Sequence, residues 1–391
     1  MGNEFYIDVF LNMYSERSHV GRLAEYNHSI YFEYAQDCLQ KHIELSPFKL
    51  PLGTGVFTDV QRTFDGLPGL FNDSMPDGWG VLLLDRILKK QRKSVQGITP
   101  LHRLALAGRD CVGALEYESA IQGYSDAGNT VHNLDTLSQQ SEMLLADGTL
   151  SPEDLFRLFC LSGSSAGARP KVLVTLDANQ LVCARGKNGE QWLIKFKAKE
   201  DPPDIGPIEY AYSLAAKEAG VEMPETRLFP AVTGPGYFGV KRFDRTDTGE
   251  KIHVHTACGL LHASHRYPSL SYEDLIKLTM VLTRDAREAL KMVKLMVFNV
   301  LSGNKDDHSK NFSFFLDKNR DWHMAPAYDL TPSAGFQGEH ACTVNGKGKN
   351  ITDHDLISAA TVAGISRRSV QEIIERTKDA LANRESVLQS G

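Results

Sequence analysis

Two aspartates and one asparagine in the last third of this 391-residue chain are residue types that can carry out phosphoryl transfer. Asn311 follows Asp306 by five positions, and Asp329 comes after a short intervening segment. One carboxylate can accept the proton of an attacking hydroxyl group, while an amide oxygen and a second carboxylate can bind Mg²⁺ beside nucleotide phosphates. The spacing therefore indicates phosphoryl transfer, with Asp306, Asn311 and Asp329 as the leading candidate site.

The elements around this trio can hold it in place. The segment Thr283 to Val300 has the apolar periodicity of a helix, and Phe312 to Leu316 and Trp322 to Met324 have the pattern of two hairpin strands. A hairpin there would return Asp329 to the neighbourhood of Asn311. A loop of this kind between a helix and a hairpin is typical of kinase catalytic loops. A solvated acidic surface loop is the alternative.

A run of small residues from Ser162 to Lys171 is the candidate phosphate-binding loop. It lies between a predicted helix, Pro152 to Leu161, and a predicted strand, Val172 to Leu176. Small side chains allow backbone N–H groups to approach phosphate oxygens closely. A plain turn is the alternative interpretation of such a run.

Lys195 lies in the apolar strand Trp192 to Phe196, where its ammonium group requires a partner. It resembles the strand lysine with which kinases bind nucleotide phosphates. A helix is predicted to begin at Glu209, to run through Lys217 and to end at Gly220, and the Glu209 carboxylate could pair with Lys195. An ordinary charge on the first helical turn is the alternative for Glu209.

Two other patterns favour structural roles. The segment Gly234 to Gly239 fits G-x-G-x-x-G, but it contains a proline and precedes the strand pattern Val240 to Phe243, whereas the dinucleotide-binding motif must open a helix. We therefore expect a hairpin turn. A second group has spacings that match no standard zinc site, so packing or substrate-loop roles are expected. Its members are His253, His255, Cys258, His262 and His265.

Six segments spread over the chain form a joint pattern: Asp73 to Gly80, Gly108 to Leu115, Ser164 to Ala168, Lys241 to Arg245, Asn304 to Asn311 and Ala325 to Leu330. Together they resemble the HipA-type serine/threonine kinases, the toxin half of a bacterial toxin–antitoxin pair, over nearly the whole chain. Two positions depart from the family pattern. Arg169-Pro170 stands before Lys171 in place of a polar pair, and Lys241 stands where an acidic residue is expected.

The resemblance implies a role for each matched residue. Asp306 would be the catalytic aspartate, Asn311 and Asp329 the magnesium ligands, and Lys195 the phosphate-binding lysine. Ser164 would also be a site of autophosphorylation. The remaining implied contacts to ATP come from Ser164, Ser165, Ala166, Gly167, Ala168, Lys241, Arg242, Phe243, His308 and Lys310.

The resemblance also implies cofactors and partners. ATP and Mg²⁺ would be the cofactors, a small HipB-like helix-turn-helix antitoxin the binding partner, and a protein such as an aminoacyl-tRNA synthetase the substrate. The net charge of −6 argues against autonomous nucleic-acid binding, so DNA would be reached only through the antitoxin. Six scattered cysteines, with no signal peptide or membrane-spanning run, predict a cytoplasmic protein.

The predicted fold is α+β and bilobed, similar to protein kinases and phosphatidylinositol kinases, with an N-terminal α/β subdomain, a mostly helical C-terminal lobe and the active site between lobes. Capping patterns at Ser271 and Thr352 start two of the helices. Composition and pattern divide the chain into an N-terminal subdomain (1–120), a polar connector (121–150), a nucleotide-binding lobe (151–250) and a helical catalytic lobe (251–391).

Three other functions stay open at this point. A catalytically inactive regulator of the same fold would have lost the acidic trio, which is complete here. A small-molecule or lipid kinase reuses the same Asp-x4-Asn logic, but the N-terminal matches favour the toxin family. An antitoxin-like binding module would show no phosphotransfer at all.

Overall fold

The computed structural model describes residues 5–91, 97–119, 131–164, 167–176, 182–183 and 189–389. The chain forms two compact units. The first comprises Met1–Gly206 and Leu228–Val254, and the second comprises Pro207–Arg227 and His255–Gly391. The finer division into four segments stays a prediction.

The first unit begins with an antiparallel sheet in the strand order β4-β3-β2-β1-β5. Alternate residues of β1 are buried, which is the period-two pattern of a sheet with one core face. The strands are β1 (Phe5–Met13), β2 (Glu16–Tyr26), β3 (Ser29–Tyr34), β4 (Val56–Phe57) and β5 (Leu115–Glu118).

A second sheet carries the candidate phosphate-binding residues. Its strand order is β7-β6-β8-β10-β9, and every residue of β6 is buried. The strands are β6 (Lys171–Leu176), β7 (Val182–Cys183), β8 (Glu190–Lys195), β9 (Thr226–Phe229) and β10 (Tyr237–Lys241). The predicted strand Val240 to Phe243 was therefore misplaced, since β10 starts three residues earlier. Gly234 and Gly236, both with positive φ (106° and 113°), lie in the turn between neighbouring strands β9 and β10, as predicted.

Helices pack beside these sheets in the first unit. Ser151 caps the last of them, with its side chain accepting the Asp154 N–H at 3.0 Å and Pro152 in the first turn. The helices are α1 (Gln36–Gln40), α2 (Gly69–Asn72), α3 (Gly78–Lys90), α4 (Pro100–Ala107), α5 (Leu134–Leu145) and α6 (Pro152–Ser162).

Helix α5 shows that the polar segment predicted as a connector contains a helix that packs into the core. Asn133 caps it by accepting two backbone N–H groups, and the helix buries Leu134, Leu137 and Leu144 in the core beside Trp192. The polar composition hid this narrow apolar stripe, because three leucines at helical spacing are enough to anchor a helix whose other faces are solvated.

The second unit is mostly helical. Its helices are α7 (Ile205–Glu218, which begins at the junction), α8 (Ala257–Leu261), α9 (Tyr272–Thr283), α10 (Ala286–Ser302), α11 (Asp353–Ala360) and α12 (Arg367–Gln389). Its strands are β11 (Val254–Thr256), β12 (Leu270–Ser271), β13 (Ser313–Leu316), β14 (Trp322–Met324) and β15 (Cys342–Thr343). The combination agrees with the predicted α+β class. None of the described helices is long and apolar enough to cross a membrane.

The helix signals in this unit were mostly accurate. Both predicted capping boxes are present, at Ser271 before α9 and at Thr352 before α11. The helix predicted to start at Thr283 starts at Ala286, because the left-handed Arg284 (φ 55°) separates it from α9. The helix predicted to start at Glu209 starts four residues earlier, at Ile205, since a proline is tolerated in a first turn.

Candidate active site

The candidate catalytic loop follows directly from the C-terminal end of α10. Gly303 adopts a left-handed conformation (φ 73°) and its N–H caps the helix. The buried Asn304 side chain then donates to Asn299 Oδ1 and to the Asp329 carbonyl oxygen, both at 3.0 Å. One asparagine therefore ties α10 to the segment that carries Asp329.

Asp306 and Asn311 are joined within this loop. Asp306 is exposed, and Asn311 Nδ2 donates to the Asp306 carbonyl oxygen at 2.8 Å. Because a carbonyl oxygen can only accept, this contact fixes the orientation of the amide and leaves Asn311 Oδ1 as its acceptor atom. Ser309 anchors the same turn by donating to the Ala263 carbonyl oxygen at 2.7 Å.

Asp307, the neighbour of Asp306, has the opposite environment. Its side chain is 0% exposed and accepts hydrogen bonds at both oxygens. Oδ1 accepts the backbone N–H groups of Ala341 and Cys342 at 2.8 and 3.3 Å. Oδ2 lies 2.7 Å from the Tyr272 hydroxyl and 2.9 Å from His340 Nδ1. A buried carboxylate needs such partners, so Asp307 acts as the internal anchor of the loop.

Tyr272 extends this anchor back to α10. Its hydroxyl accepts from Asn299 Nδ2 at 3.0 Å and donates to Asp307. Burial, reinforced by the adjacent Asp307 carboxylate, raises the pKa of Tyr272 well above its usual value, so the phenol stays protonated and keeps donating. Asp307 and Tyr272 were not singled out from the sequence, because an Asp-Asp pair gives no sign of which member is buried.

The β13–β14 hairpin returns the chain to the catalytic loop, as predicted. Phe314 pairs with Met324, and the Ala325 N–H donates to the Ser313 carbonyl oxygen at 2.8 Å. Tyr328 then donates its hydroxyl to the Lys310 carbonyl oxygen at 2.7 Å. Asp329 follows with φ 58°, a left-handed conformation that is uncommon outside glycine and is tolerated best by Asp and Asn.

The candidate phosphate loop lies in the first unit. Ser164 is 2% exposed, and its Oγ accepts the Val112 N–H at 2.7 Å. Gly167 has φ 98°, and its carbonyl oxygen accepts the Trp79 N–H at 3.1 Å. The predicted contacts Ser165 and Ala166 lie outside the described residues. The described ends of the loop are thus fixed by residues from the first third of the chain.

Lys195 has a second lysine as its cross-strand neighbour. Lys171 on β6 pairs directly with Lys195 on β8 and is only 5% exposed. Like charges directly opposite each other on neighbouring strands are destabilising unless other groups offset them. A Cβ atom placed on Gly167 would lie 2.7 Å from Lys171 Nζ, which puts this ammonium group beside the loop. The sequence analysis placed Lys171 at the end of the small-residue run but assigned it no role, because its pairing with Lys195 could not be seen from the sequence.

Other predicted contacts take part in ion pairs or packing. Lys241 lies 3.3 Å from Glu190 and 2.8 Å from Asp247, and the hydrogen bond to Asp247 raises the pKa of this lysine. Arg242 pairs with Asp244 at 2.7 Å. The proposed positions of Lys241, Arg242 and Phe243 at the adenine, and the pairing of the buried Glu209 with Lys195, stay predictions.

The histidine-rich segment is integrated into the packing. His253 is buried with Nε2 3.4 Å from the Leu45 carbonyl oxygen, and His265 contacts His308 edge-on with ring centroids 5.6 Å apart. Within the described ranges, no three His, Cys, Asp or Glu side chains form a metal-binding group. The roles of His308 and Lys310 at the nucleotide stay predictions.

Comparison with models of known protein families identifies the family of this chain. The model of the HipA-like C-terminal domain matches residues 163–384, more than half of the chain, and that of the HipA N-terminal domain matches residues 11–118. The chain belongs to the HipA family. Its fold is similar to that of Shewanella oneidensis HipA, solved with HipB and operator DNA, at a TM-score of 0.71 and 19% identity over 98% of this chain and 90% of that one. The predicted family and the α+β fold class are confirmed.

Two curated relatives from Sinorhizobium fredii carry kinase names. "Putative kinase Y4dM" is 27% identical over 48% of this chain and 51% of its own length. "Putative kinase Y4mE" is 25% identical over 78% of this chain and 77% of its own length. The chain thus spans about half of the first relative and most of the second.

The contrast between the two adjacent aspartates predicts unequal losses of stability when each is replaced by asparagine. Asp307→Asn replaces an acceptor oxygen by an NH₂ group that cannot accept from the neighbouring donors, so we expect a loss of about 2 to 4 kcal/mol in the free energy of unfolding. The matched change Asp306→Asn, at an exposed position, should alter it by less than about 0.5 kcal/mol. Urea unfolding followed by circular dichroism measures both, and equal losses would contradict the assigned roles.

Proposed function

We propose that this protein is an ATP- and magnesium-dependent serine/threonine protein kinase of the HipA type. The observation that carries the proposal is the arrangement of the catalytic loop. Asp306 is exposed on a loop that the buried Asp307 anchors. The Asn311 side chain donates to the Asp306 carbonyl oxygen. Asn304, at the C-terminal end of α10, donates to the Asp329 carbonyl oxygen. Membership of the HipA family supports the same conclusion.

In this proposal each side chain has a defined task. Asp306 accepts the proton of the attacking hydroxyl and orients it, which its exposure permits. Asn311 Oδ1 and the Asp329 carboxylate are hard oxygen ligands, which suit Mg²⁺. Bound Mg²⁺ would neutralise charge that develops on the transferred phosphoryl group. Lys195 would bind the nucleotide phosphates, and Lys171 would add positive charge beside the loop.

The biological role proposed here is that of a toxin with an antitoxin partner. The structurally similar Shewanella protein was solved with HipB and operator DNA, and we propose a comparable small helix-turn-helix partner for this chain. The net charge of −6 favours DNA contact through that partner. A protein hydroxyl, such as one on an aminoacyl-tRNA synthetase, is the proposed phosphate acceptor, with Ser164 as a site of autophosphorylation.

Asp306→Asn should remove phosphate transfer and leave nucleotide binding intact. An amide cannot accept the hydroxyl proton, so the rate of transfer from radiolabelled ATP to protein should fall by about 10²- to 10⁴-fold. Asp321→Asn, at an exposed turn between the hairpin strands, is the matched control and should retain the wild-type rate. Calorimetry of MgATP binding separates lost chemistry from lost binding. Transfer by the Asp306 variant at the wild-type rate would exclude the assignment.

Asp329→Asn should instead weaken binding of the magnesium nucleotide. Asparagine tolerates the left-handed backbone at this position, so the change removes the charged ligand without adding backbone strain. We expect MgATP affinity to fall by at least about tenfold, as in other sites that lose ligand support. Calorimetry with and without Mg²⁺ measures the effect. An unchanged magnesium-dependent affinity would show that Asp329 is not a ligand.

A further inference from the structure

Two motifs in the first third of the chain have no part in the catalytic roles assigned above. They are Asp73 to Gly80 and Gly108 to Leu115. Both lie in the first unit together with the described ends of the candidate phosphate loop, and both contact that loop directly.

The first turn of α3 lies against one end of the loop. A Cβ atom on Gly78 would come within 2.6 Å of Ala168 Cα, a separation that no side chain can occupy. The next residue, Trp79, donates its N–H to the Gly167 carbonyl oxygen at 3.1 Å. The first N–H groups of a helix have no partner within the helix, so this one is available to hold the loop. Gly78 is therefore required for close backbone approach, and Trp79 supplies the hydrogen bond.

The second motif holds the other end. The Val112 N–H donates to Ser164 Oγ at 2.7 Å. The backbone around Val112 is fixed in turn, because the Gly113 N–H donates to Asp244 Oδ2 at 2.9 Å and Arg245 donates to the carbonyl oxygens of Gly113 and Cys111 at 3.0 and 3.1 Å. Ser164 thus accepts a hydrogen bond from a segment that is itself tethered to the residues after β10, Asp244 and Arg245.

The charges in this tether are strongly coupled. Burial alone would raise the pKa of Asp244, but the guanidinium groups of Arg242 and Arg245 hold it well below its usual value. The carboxylate therefore stays ionised at neutral pH and accepts the Gly113 N–H. The segment that holds Ser164 is consequently a rigid support.

We propose that the two N-terminal motifs form a clamp on the phosphate loop, in which α3 holds Gly167 and Ala168 and Val112 holds Ser164. The inference rests on the proposed kinase function. The clamp fixes both described ends of the loop, so that less ordering is required when ATP binds. It also keeps the Ser164 hydroxyl buried through the hydrogen bond from Val112. Gly78, Trp79 and Val112 are positioning residues in this scheme.

The test uses the full-length protein and the variant Gly78→Ala, whose added methyl group pushes against Ala168. The matched control is Gly53→Ala, because a Cβ at Gly53 makes only ordinary contacts, the nearest at 3.6 Å. Amide hydrogen exchange of the ligand-free protein, followed by mass spectrometry, reports on the peptides that cover 161–171 and 108–114. Calorimetry then measures the dissociation constant for MgATP.

We expect Gly78→Ala to accelerate exchange in the loop peptide and to raise the dissociation constant for MgATP by roughly tenfold or more, since small displacements of positioning groups have effects of this size. Gly53→Ala should match the wild type in both measurements. Unchanged exchange, or faster exchange with unchanged affinity, would overturn the clamp.

The wild-type protein separates the clamp from the kinase proposal. If its loop peptide exchanges as fast as that of the variant and the protein binds no MgATP, both proposals fail. If the wild-type loop is protected but binds no MgATP, the kinase proposal fails and the clamp loses its role in nucleotide binding.

Ser164→Ala is a second variant that cannot introduce a clash. It deletes the acceptor of the Val112 N–H, so exchange should accelerate in the peptide that covers 108–114 and in the loop peptide. This variant decides the question if Gly78→Ala does not fold, as judged by circular dichroism. Wild-type exchange in both peptides would overturn the clamp.

Discussion

The buried carboxylate of Asp307 is the constraint on which the catalytic loop depends. A charge removed from water needs hydrogen-bond partners. Asp307 obtains them from the side chains of Tyr272 and His340 and from the backbone N–H groups of Ala341 and Cys342. These partners come from distant parts of the second unit. These hydrogen bonds hold the loop from several sides. Asp306, which directly precedes Asp307, is therefore held in place although it is exposed.

Hydrogen bonds also hold the candidate metal ligands Asn311 and Asp329 in place. The Asn304 side chain joins α10 to the backbone of Asp329, and the Asn311 side chain is hydrogen-bonded to the backbone of Asp306. Polar side chains thus fix the backbone at the proposed catalytic and metal-binding positions. Fixed geometry of this kind is what phosphoryl transfer requires, because positioning and electrostatic stabilisation supply most of its catalysis. In the first unit, backbone N–H groups donate hydrogen bonds to Gly167 and Ser164. The close approach of helix α3 to Ala168 depends on glycine at position 78.

The sequence was informative where local rules apply. The hairpin after the loop and the capping boxes at Ser271 and Thr352 depend on neighbouring residues, and they could be predicted. The site indicated by the spacing of Asp306, Asn311 and Asp329 stays a proposal. The separate roles of Asp306 and Asp307 could not, because they depend on Tyr272 and His340, which are remote in sequence. Helix α5 was missed because a sparse leucine stripe resembles a polar linker, and Lys171 because its relation to Lys195 is a cross-strand contact.

The most direct test of the central claim is a phosphoproteome of bacterial cells that express either the wild-type chain or the Asp306→Asn variant at equal levels. Mass spectrometry would compare phosphoserine and phosphothreonine sites between the two. The proposed function predicts a limited set of sites found only with the wild type, which would identify the substrate and would include the peptide that carries Ser164. Indistinguishable phosphoproteomes at equal expression would contradict the account of this chain as an Asp306-dependent protein kinase.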